Sequence, residues 1–302
     1  MTNTNFYSNG KLLLTGEYVV LDGALALALP TKHGQSLVIK PNLTDFIEWK
    51  SFDEKHEVWF ENTFSVEALE LPNKNKLDET SIRLLNILHV AKKLNPDFVL
   101  PHARVETHLN FPRHWGLGTS STLINNIANW AQVNPYELLK LTFGGSGYDI
   151  ACAKYNKPIT YSLVNDNREV HTVNFNPNFK DSLYFVYLNK KQNSRDAIES
   201  YRQNTTDLTK DIETINTITE NIITCKTLSE FENLINTHEQ IMSTILNQKP
   251  IKERLFSDFR GSVKSLGAWG GDFVLVTAKE NPSTYFKAKG FETVISYNDM
   301  IL

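Results

Sequence analysis

Residues 111–123, FPRHWGLGTSSTL, gather a proline, the glycines Gly116 and Gly118 around Leu117, and a run of hydroxyls from Thr119 to Thr122. Glycine allows a bend whose backbone N–H groups turn inward, and serine or threonine is a preferred N-cap for a helix that follows. A helix is expected here, because Leu123, Ile124, Ile127, Ala128 and Ala131 recur at three- and four-residue spacing. The free N–H groups and positive dipole end of a helix start favour an anion, and a phosphate is the natural guest. The same pattern also serves as a cap without a ligand, and these residues alone leave the two readings open.

The elements around this loop alternate in texture. KLLLTGEYVVLDG (11–23), QSLVIKP (35–41), DFIEWKSF (45–52), HEVWFENTFSVEALEL (56–71) and HARVETHLNF (102–111) read as strands between turn residues, and DETSIRLLNILHVAKKL (78–94) as a helix capped by Asp78 or Thr80. After the helix from 122 come FGGSGYDIACAKY and strands near 158–164 and 168–175. The Pro/Asn-rich stretch 174–182 is the best linker candidate. Beyond it LYFVYLN is a strand. Residues 206–247 carry two amphipathic helices, with Leu208, Ile212, Ile215 and Ile222 in one stripe and Phe231, Leu234, Ile235, Ile241 and Ile245 in the other. GAWGGDFVLVTA turns into a strand, and FETVISY closes the chain.

At 302 residues, 41% hydrophobic and 22% charged, the chain has the profile of a soluble globular protein of one large domain or two ordinary ones. A net charge of −3 without a basic run argues against nucleic acid as a partner. Cys152 and Cys225 are too few for a disulfide framework or a Cys-based zinc site, which fits a reducing cytoplasm. The most apolar early stretch, LLLTGEYVVLDGALALALP, contains Glu17 and Asp22 and reads as buried strands with a turn, not as a signal peptide or a membrane span.

Three glycine-bearing clusters stand out: NGKLLLTGEYVVLDGALALA at 9–28, PRHWGLGTSST at 112–122 and KSLGAWGGDFVLV at 264–276. No G-x-x-x-x-G-K-[ST], G-x-S-x-G or H-E-x-x-H occurs, nor a G-x-G-x-x-G after a strand. In order and spacing the three clusters resemble the signature motifs of the GHMP kinases, the superfamily of galactokinase, homoserine kinase, mevalonate kinase and phosphomevalonate kinase. Those motifs read roughly P-G-K-x-x-L-x-G-E-Y/H-x-V-x-x-G, P-x-G-x-G-L-G-S-S-A and G-A-G-G-G-D. The resemblance implies an α+β, two-domain fold. Residues 1–178 would form an ATP-binding domain like ribosomal protein S5 domain 2, and 179–302 a ferredoxin-like domain. It also implies ATP and Mg²⁺ as cofactors and a small-molecule alcohol as substrate.

Roles follow from the matching positions. Asp149 in GGSGYDIA matches the catalytic aspartate, with helix capping as the alternative, and Lys11 matches the first-motif lysine that pairs with it. Pro112, Trp115, Gly116, Leu117, Gly118, Thr119, Ser120 and Ser121 match the stretch that wraps the nucleotide phosphates. Ser120 matches a Mg²⁺ ligand, and Glu137 is the one nearby glutamate for that metal, at a short spacing that also suits a helix start. Glu17, Tyr18, Ser146, Gly147, Gly270 and Gly271 are the positions expected to face the acceptor.

The sequence departs from the pattern in places. His114 and Trp115 stand where the family has glycine and a small residue, Trp269 is in the middle of the third motif, and Asn9 replaces proline. The tryptophans are expected to stack on the base, narrow the site or pack on each other. GEY at 16–18 and SGYDIAC at 146–152 look like phosphomevalonate kinases more than mevalonate kinases, which usually read GEH. A phosphorylated acceptor needs extra cations, for which Lys32, Arg113, Lys190, Lys191, Arg195 and Lys264 are candidates, while His33, His89 and His238 have no ligand spacing. Phosphomevalonate or mevalonate is thus the expected acceptor, with homoserine or a sugar as the wider alternative. A GHMP fold that binds without turnover, motivated by the tryptophans, is the other class. The expected protein is a monomer or homodimer.

Overall fold

The computed structural model describes residues 3–65, 77–98, 100, 103–164, 167–192, 194–203 and 207–302, with 194–196 described by their backbone alone. Residues 66–71 of the fourth expected strand and the Arg195 side chain lie outside the described residues. The fold is α+β, and contacts divide the chain into two compact units that interleave in sequence. Met1–Gly10, His33–Arg113 and Leu117–Asn156 form the first, and Lys11–Lys32, His114–Gly116 and Lys157–Leu302 the second. The expected boundary between 178 and 179 falls inside the second unit.

In the first unit β3 (Phe46–Phe52) pairs antiparallel with β4 (Val58–Ser65) and parallel with β5 (Ala103–Leu109). The latter pairs antiparallel with the end of β2 (Ala26–Pro41), so the sheet is mixed. The parallel step needs a crossover, and β4 followed by α1 (Glu79–Leu94) supplies it. Asp78 starts α1 as expected, its carboxylate accepting from the N–H groups of Thr80 and Ser81. Leu84, Leu85, Leu88 and Ala91 recur at helical spacing and are all buried. They meet Ile47 and Trp49 of β3 and Ala103 and Val105 of β5, whose two-residue alternation turns one sheet face inward. The helices α2 (Thr119–Ala131), α3 (Pro135–Thr142) and α4 (Tyr148–Tyr155) close this core with Ile124, Ile127, Leu138 and Ile150.

In the second unit the start of β2 pairs with β6 (Ile159–Val164), which pairs with β7 (Asn167–Thr172), both antiparallel. A separate sheet contains β8 (Leu183–Tyr187), β9 (Val263–Ser265), β10 (Phe273–Thr277) and β11 (Val294–Ser296) in the order β11-β8-β10-β9, with every neighbour antiparallel. Helices lie between β8 and β9 and between β10 and β11, which gives the β-α-β-β-α-β pattern of a ferredoxin-like domain. The two helices expected within 206–247 are Thr209–Thr224 and Leu228–Leu246. A capping box of Thr227 and Glu230 starts the second. Ile215, Met242 and Ile245 pack from them against Tyr18, Val19 and Trp269.

Candidate active site

The expected anion-binding bend leads directly into α2 of the first unit. Its N-cap is Gly118 at φ 89°, in the left-handed region, and makes no side-chain cap hydrogen bond. The cap is therefore glycine and not the expected serine or threonine. A left-handed turn favours a residue without Cβ, and the hydroxyls fall one to four positions later. Ser120 is exposed, whereas Ser121 is buried and its hydroxyl donates to Asp149 Oδ2. Asp149 lies in the first turn of α4, which Gly147 caps, also at φ 89°. Its second oxygen, Oδ1, accepts from the N–H of Ile150 at 3.1 Å. Asp149 thus touches the N–H of its own next residue without capping the helix, and it has a bond to the neighbouring helix start. Ser146, directly ahead of this turn, is buried.

Behind the loop, buried polar groups fix the direction of α2. Asn126 donates to Gln35 O at 2.9 Å, Ser8 donates to Asn126 Oδ1 at 2.7 Å, and Asn125 donates to Ser8 Oγ at 2.9 Å. Thr122 Oγ1 lies 2.8 Å from Gln35 Oε1. Buried amides satisfied in this way set one orientation of the helix, because losing a partner leaves a polar group dry. Glu137 is exposed in the first turn of α3, after the N-cap Asn134. Among the described residues no group of three or more His, Cys, Asp or Glu is gathered to hold a metal ion.

The second unit contains Lys11, whose Nζ donates to Gly116 O at 3.3 Å. The expected partners Lys11 and Asp149 therefore belong to different units, and each has the neighbours just described. His114–Gly116 is held by aromatic contacts. Trp115 meets Phe273 edge-on at 5.4 Å and lies 6.5 Å from Tyr187, whose hydroxyl donates to His114 O at 3.1 Å. Trp269 is 3% exposed at φ 45° and packs with Tyr18, Tyr201 and Met242. Gly271 lies against Lys190 and Gln192, where a Cβ would stand 2.7 Å from Lys190 O. Of the other cations, Arg113 in the first unit stacks 3.5 Å above the Trp59 ring.

A closed ionic cluster lies beneath the first glycine motif. Lys264, fully buried, donates to Glu17 Oε1 at 2.7 Å and to Ser265 O at 2.9 Å. Glu239 receives the Ser265 hydroxyl at 2.7 Å and lies 4.0 Å from Lys264. His238 Nε2 accepts from the N–H of Gly16 at 3.1 Å and stands 3.4 Å from Glu17 Oε2. Two expectations are corrected here. Glu17 is turned inward and not toward an acceptor, and Lys264 is neutralised inside the protein and not free for a second phosphate. Burial pushes the Glu17 carboxyl up to about 7 against the pull of Lys264. Burial also raises Glu239 and drives the His238 imidazole well below its usual range. His238 is structural, as its lack of ligand spacing suggested. Sequence reasoning gave no role to Glu239, or to Asp272, whose carboxylate lies against Gly116 in the second unit.

No family model matches the chain, and no curated protein matches it. Solved structures do. A mevalonate kinase from Methanococcus jannaschii aligns at a TM-score of 0.72 and 15% identity, over 97% of this chain and 96% of that one. A Streptococcus pneumoniae phosphomevalonate kinase in complex with phosphomevalonate and AMPPNP aligns at 0.70 and 15%, over 97% and 99%. A Lactococcus lactis galactokinase complexed with galactose aligns at 0.67 and 13%, over 95% and 88%. The chain has the two-domain fold of the GHMP kinases.

Proposed function

We propose that the protein is an ATP-dependent kinase that phosphorylates a small alcohol, phosphomevalonate ahead of mevalonate, with Mg²⁺ as its metal. One observation carries the reading: Asp149 is hydrogen-bonded to Ser121 in the first turn of the helix after the glycine bend, in a chain with this kinase fold. A solved structure of the same fold contains AMPPNP. The residues present suit a nucleotide phosphate. Gly116 and Gly118 have left-handed φ, the N-cap offers no side chain to compete for the first N–H groups, and Ser120 is exposed.

Bound ATP supplies the phosphoryl group, and Mg²⁺ offsets charge on its oxygens. In this reading Pro112, Trp115, Gly116, Leu117, Gly118, Thr119, Ser120 and Ser121 hold the phosphates, with Ser120 and Glu137 as the residues offered to the metal. Asp149 orients the acceptor hydroxyl and takes its proton, and Lys11 steadies the charge that develops on the attacking oxygen. Phosphoryl transfer demands little of a base, so positioning and electrostatics dominate. Tyr18 in GEY supports phosphomevalonate over mevalonate. Ser146, Gly147, Gly270 and Gly271 complete the acceptor side.

The test is coupled ADP release with mevalonate, phosphomevalonate, homoserine and galactose. Turnover is expected with phosphomevalonate. Activity confined to homoserine or galactose would remove the mevalonate-type assignment. No ADP release with any acceptor, together with no thermal shift in millimolar MgATP, would leave a binding protein without turnover.

A further inference from the structure

Asp272 enters β10 from the third glycine cluster in a conformation its neighbours impose. Its N–H donates to Lys190 O at 2.7 Å, its carbonyl accepts from Leu188 N at 2.8 Å, and Oδ1 accepts from Gln192 N at 3.3 Å. Its φ of 53° is left-handed, where aspartate is among the few residues tolerated besides glycine and asparagine. Held this way, the carboxylate fills the space beside Gly116 that a side chain would take. A Cβ there would stand 2.3 Å from Asp272 Cγ and 2.5 and 2.6 Å from its oxygens. Gly116 is therefore glycine for two reasons, its own left-handed φ and the carboxylate beside it. Lys11 donates to the carbonyl of this same glycine, and the charges of Lys11 and Lys191 both act on Asp272.

A bare carboxylate is an odd neighbour for a loop that binds phosphate, because it repels the ligand. It becomes useful when its charge fixes a cation. We propose that Asp272 is a positioning residue: with the Gly116 carbonyl it fixes the place and charge of the Lys11 ammonium, so that Lys11 meets the acceptor oxygen during phosphoryl transfer. This rests on the kinase reading above. The carbonyl gives the partly buried ammonium a direction, and the carboxylate on the other side of Gly116 attracts its charge. Burial lifts the Asp272 carboxyl, opposed first by the Gln192 N–H and then by the charges of Lys11 and Lys191.

The test is Asp272→Asn, which retains an acceptor for Gln192 N–H and removes only the charge. Lys11 is followed by ¹³C NMR of the dimethylated protein, its signal identified by loss in Lys11→Arg. The Lys11 pKa is expected to fall by about one pH unit. The kcat should fall about 10-fold to 10²-fold with KM for ATP nearly unchanged, and the loss should vanish in a Lys11→Met background. An unchanged Lys11 pKa in folded Asp272→Asn overturns the proposal and leaves Asp272 a turn residue. Should that variant not fold, Lys11→Met is read at the Asp272 carboxyl, whose pKa is expected to rise, and no rise overturns the proposal equally. A wild-type protein that turns over no acceptor while the Lys11 shift is intact overturns the kinase reading and not the coupling of the two charges.

Discussion

Two regions of this molecule use ionisable groups in opposite ways. At the start of α2, Ser121 and Asp149 meet in a half-buried pair beside exposed Ser120. Under the first glycine motif, Glu17, Lys264, His238 and Glu239 are sealed from water. A partly solvated carboxylate can exchange protons and partners, as chemistry requires. A sealed cluster cannot do so without structural cost, and it serves to hold Gly16 and Glu17 against residues more than two hundred positions away. Ionisable residues near a motif therefore divide by access to water, not by distance along the chain.

The comparison breaks most forcefully at Lys264. Lys264→Met leaves Glu17 and Glu239 buried without their cation, and the cost of breaking such a pair is about 3–5 kcal/mol. Urea unfolding should show that loss. A change below about 1 kcal/mol would mean the carboxylates are already neutral and the cluster is held by packing alone.

The two regions also differ in how legible they were. The loop is visible because glycines and hydroxyls at fixed spacing are local signals, as are the Asp78 cap and the two long helices of the second unit, whereas Asp149 is picked out by its resemblance to a family motif. Gly118 took the cap from the hydroxyls because backbone handedness outweighed side-chain preference. The cluster was invisible because its members lie on β9, on the helix Leu228–Leu246 and in the first motif, and only topology joins them. Glu17 and Lys264 stood out in the motifs, but nothing in them says that each is consumed by the other. Asp272 ended the third motif in plain view, yet its contact with Gly116 depends on a left-handed turn that glycines before it only permit.

A smaller effect, set by pH, sharpens the contrast. A carboxyl raised from 4.5 to about 7 binds a proton in the folded state that it releases when unfolded. The stability from Glu17 is thus complete below about pH 4.5 and is lost as pH rises through about 7. Integrated, this is about 3 kcal/mol. Glu239 acts in the same direction, while His238, depressed, costs stability as pH falls below its unfolded range. Glu17→Gln isolates the first term. The unfolding free energy of wild type relative to this variant should fall between pH 4.5 and 8 in guanidinium titrations, and a flat difference would show that Lys264 keeps Glu17 ionised throughout.

The smallest expected effect lies in the open region and concerns rate. Asp149→Asn should lower kcat by about 10²-fold, roughly 2.7 kcal/mol of barrier, with nucleotide affinity and thermal stability nearly intact. Ser121→Ala, which removes a neighbour and not the carboxylate, should cost less. Near wild-type kcat in folded Asp149→Asn would return the residue to the role of a helix start.

The aromatic anchoring of the loop gives the protein a reporter of its own. Trp49 and Trp269 are buried, so their fluorescence is shielded from a dissolved quencher, whereas Trp115 is half-buried against Phe273. With the other partly exposed indoles, Trp59 and Trp130, changed to phenylalanine, quenching by acrylamide would read the state of residues 114–116 alone. Any ligand that changes the exposure of Trp115 would then give an optical signal, recorded without turnover and without an attached label.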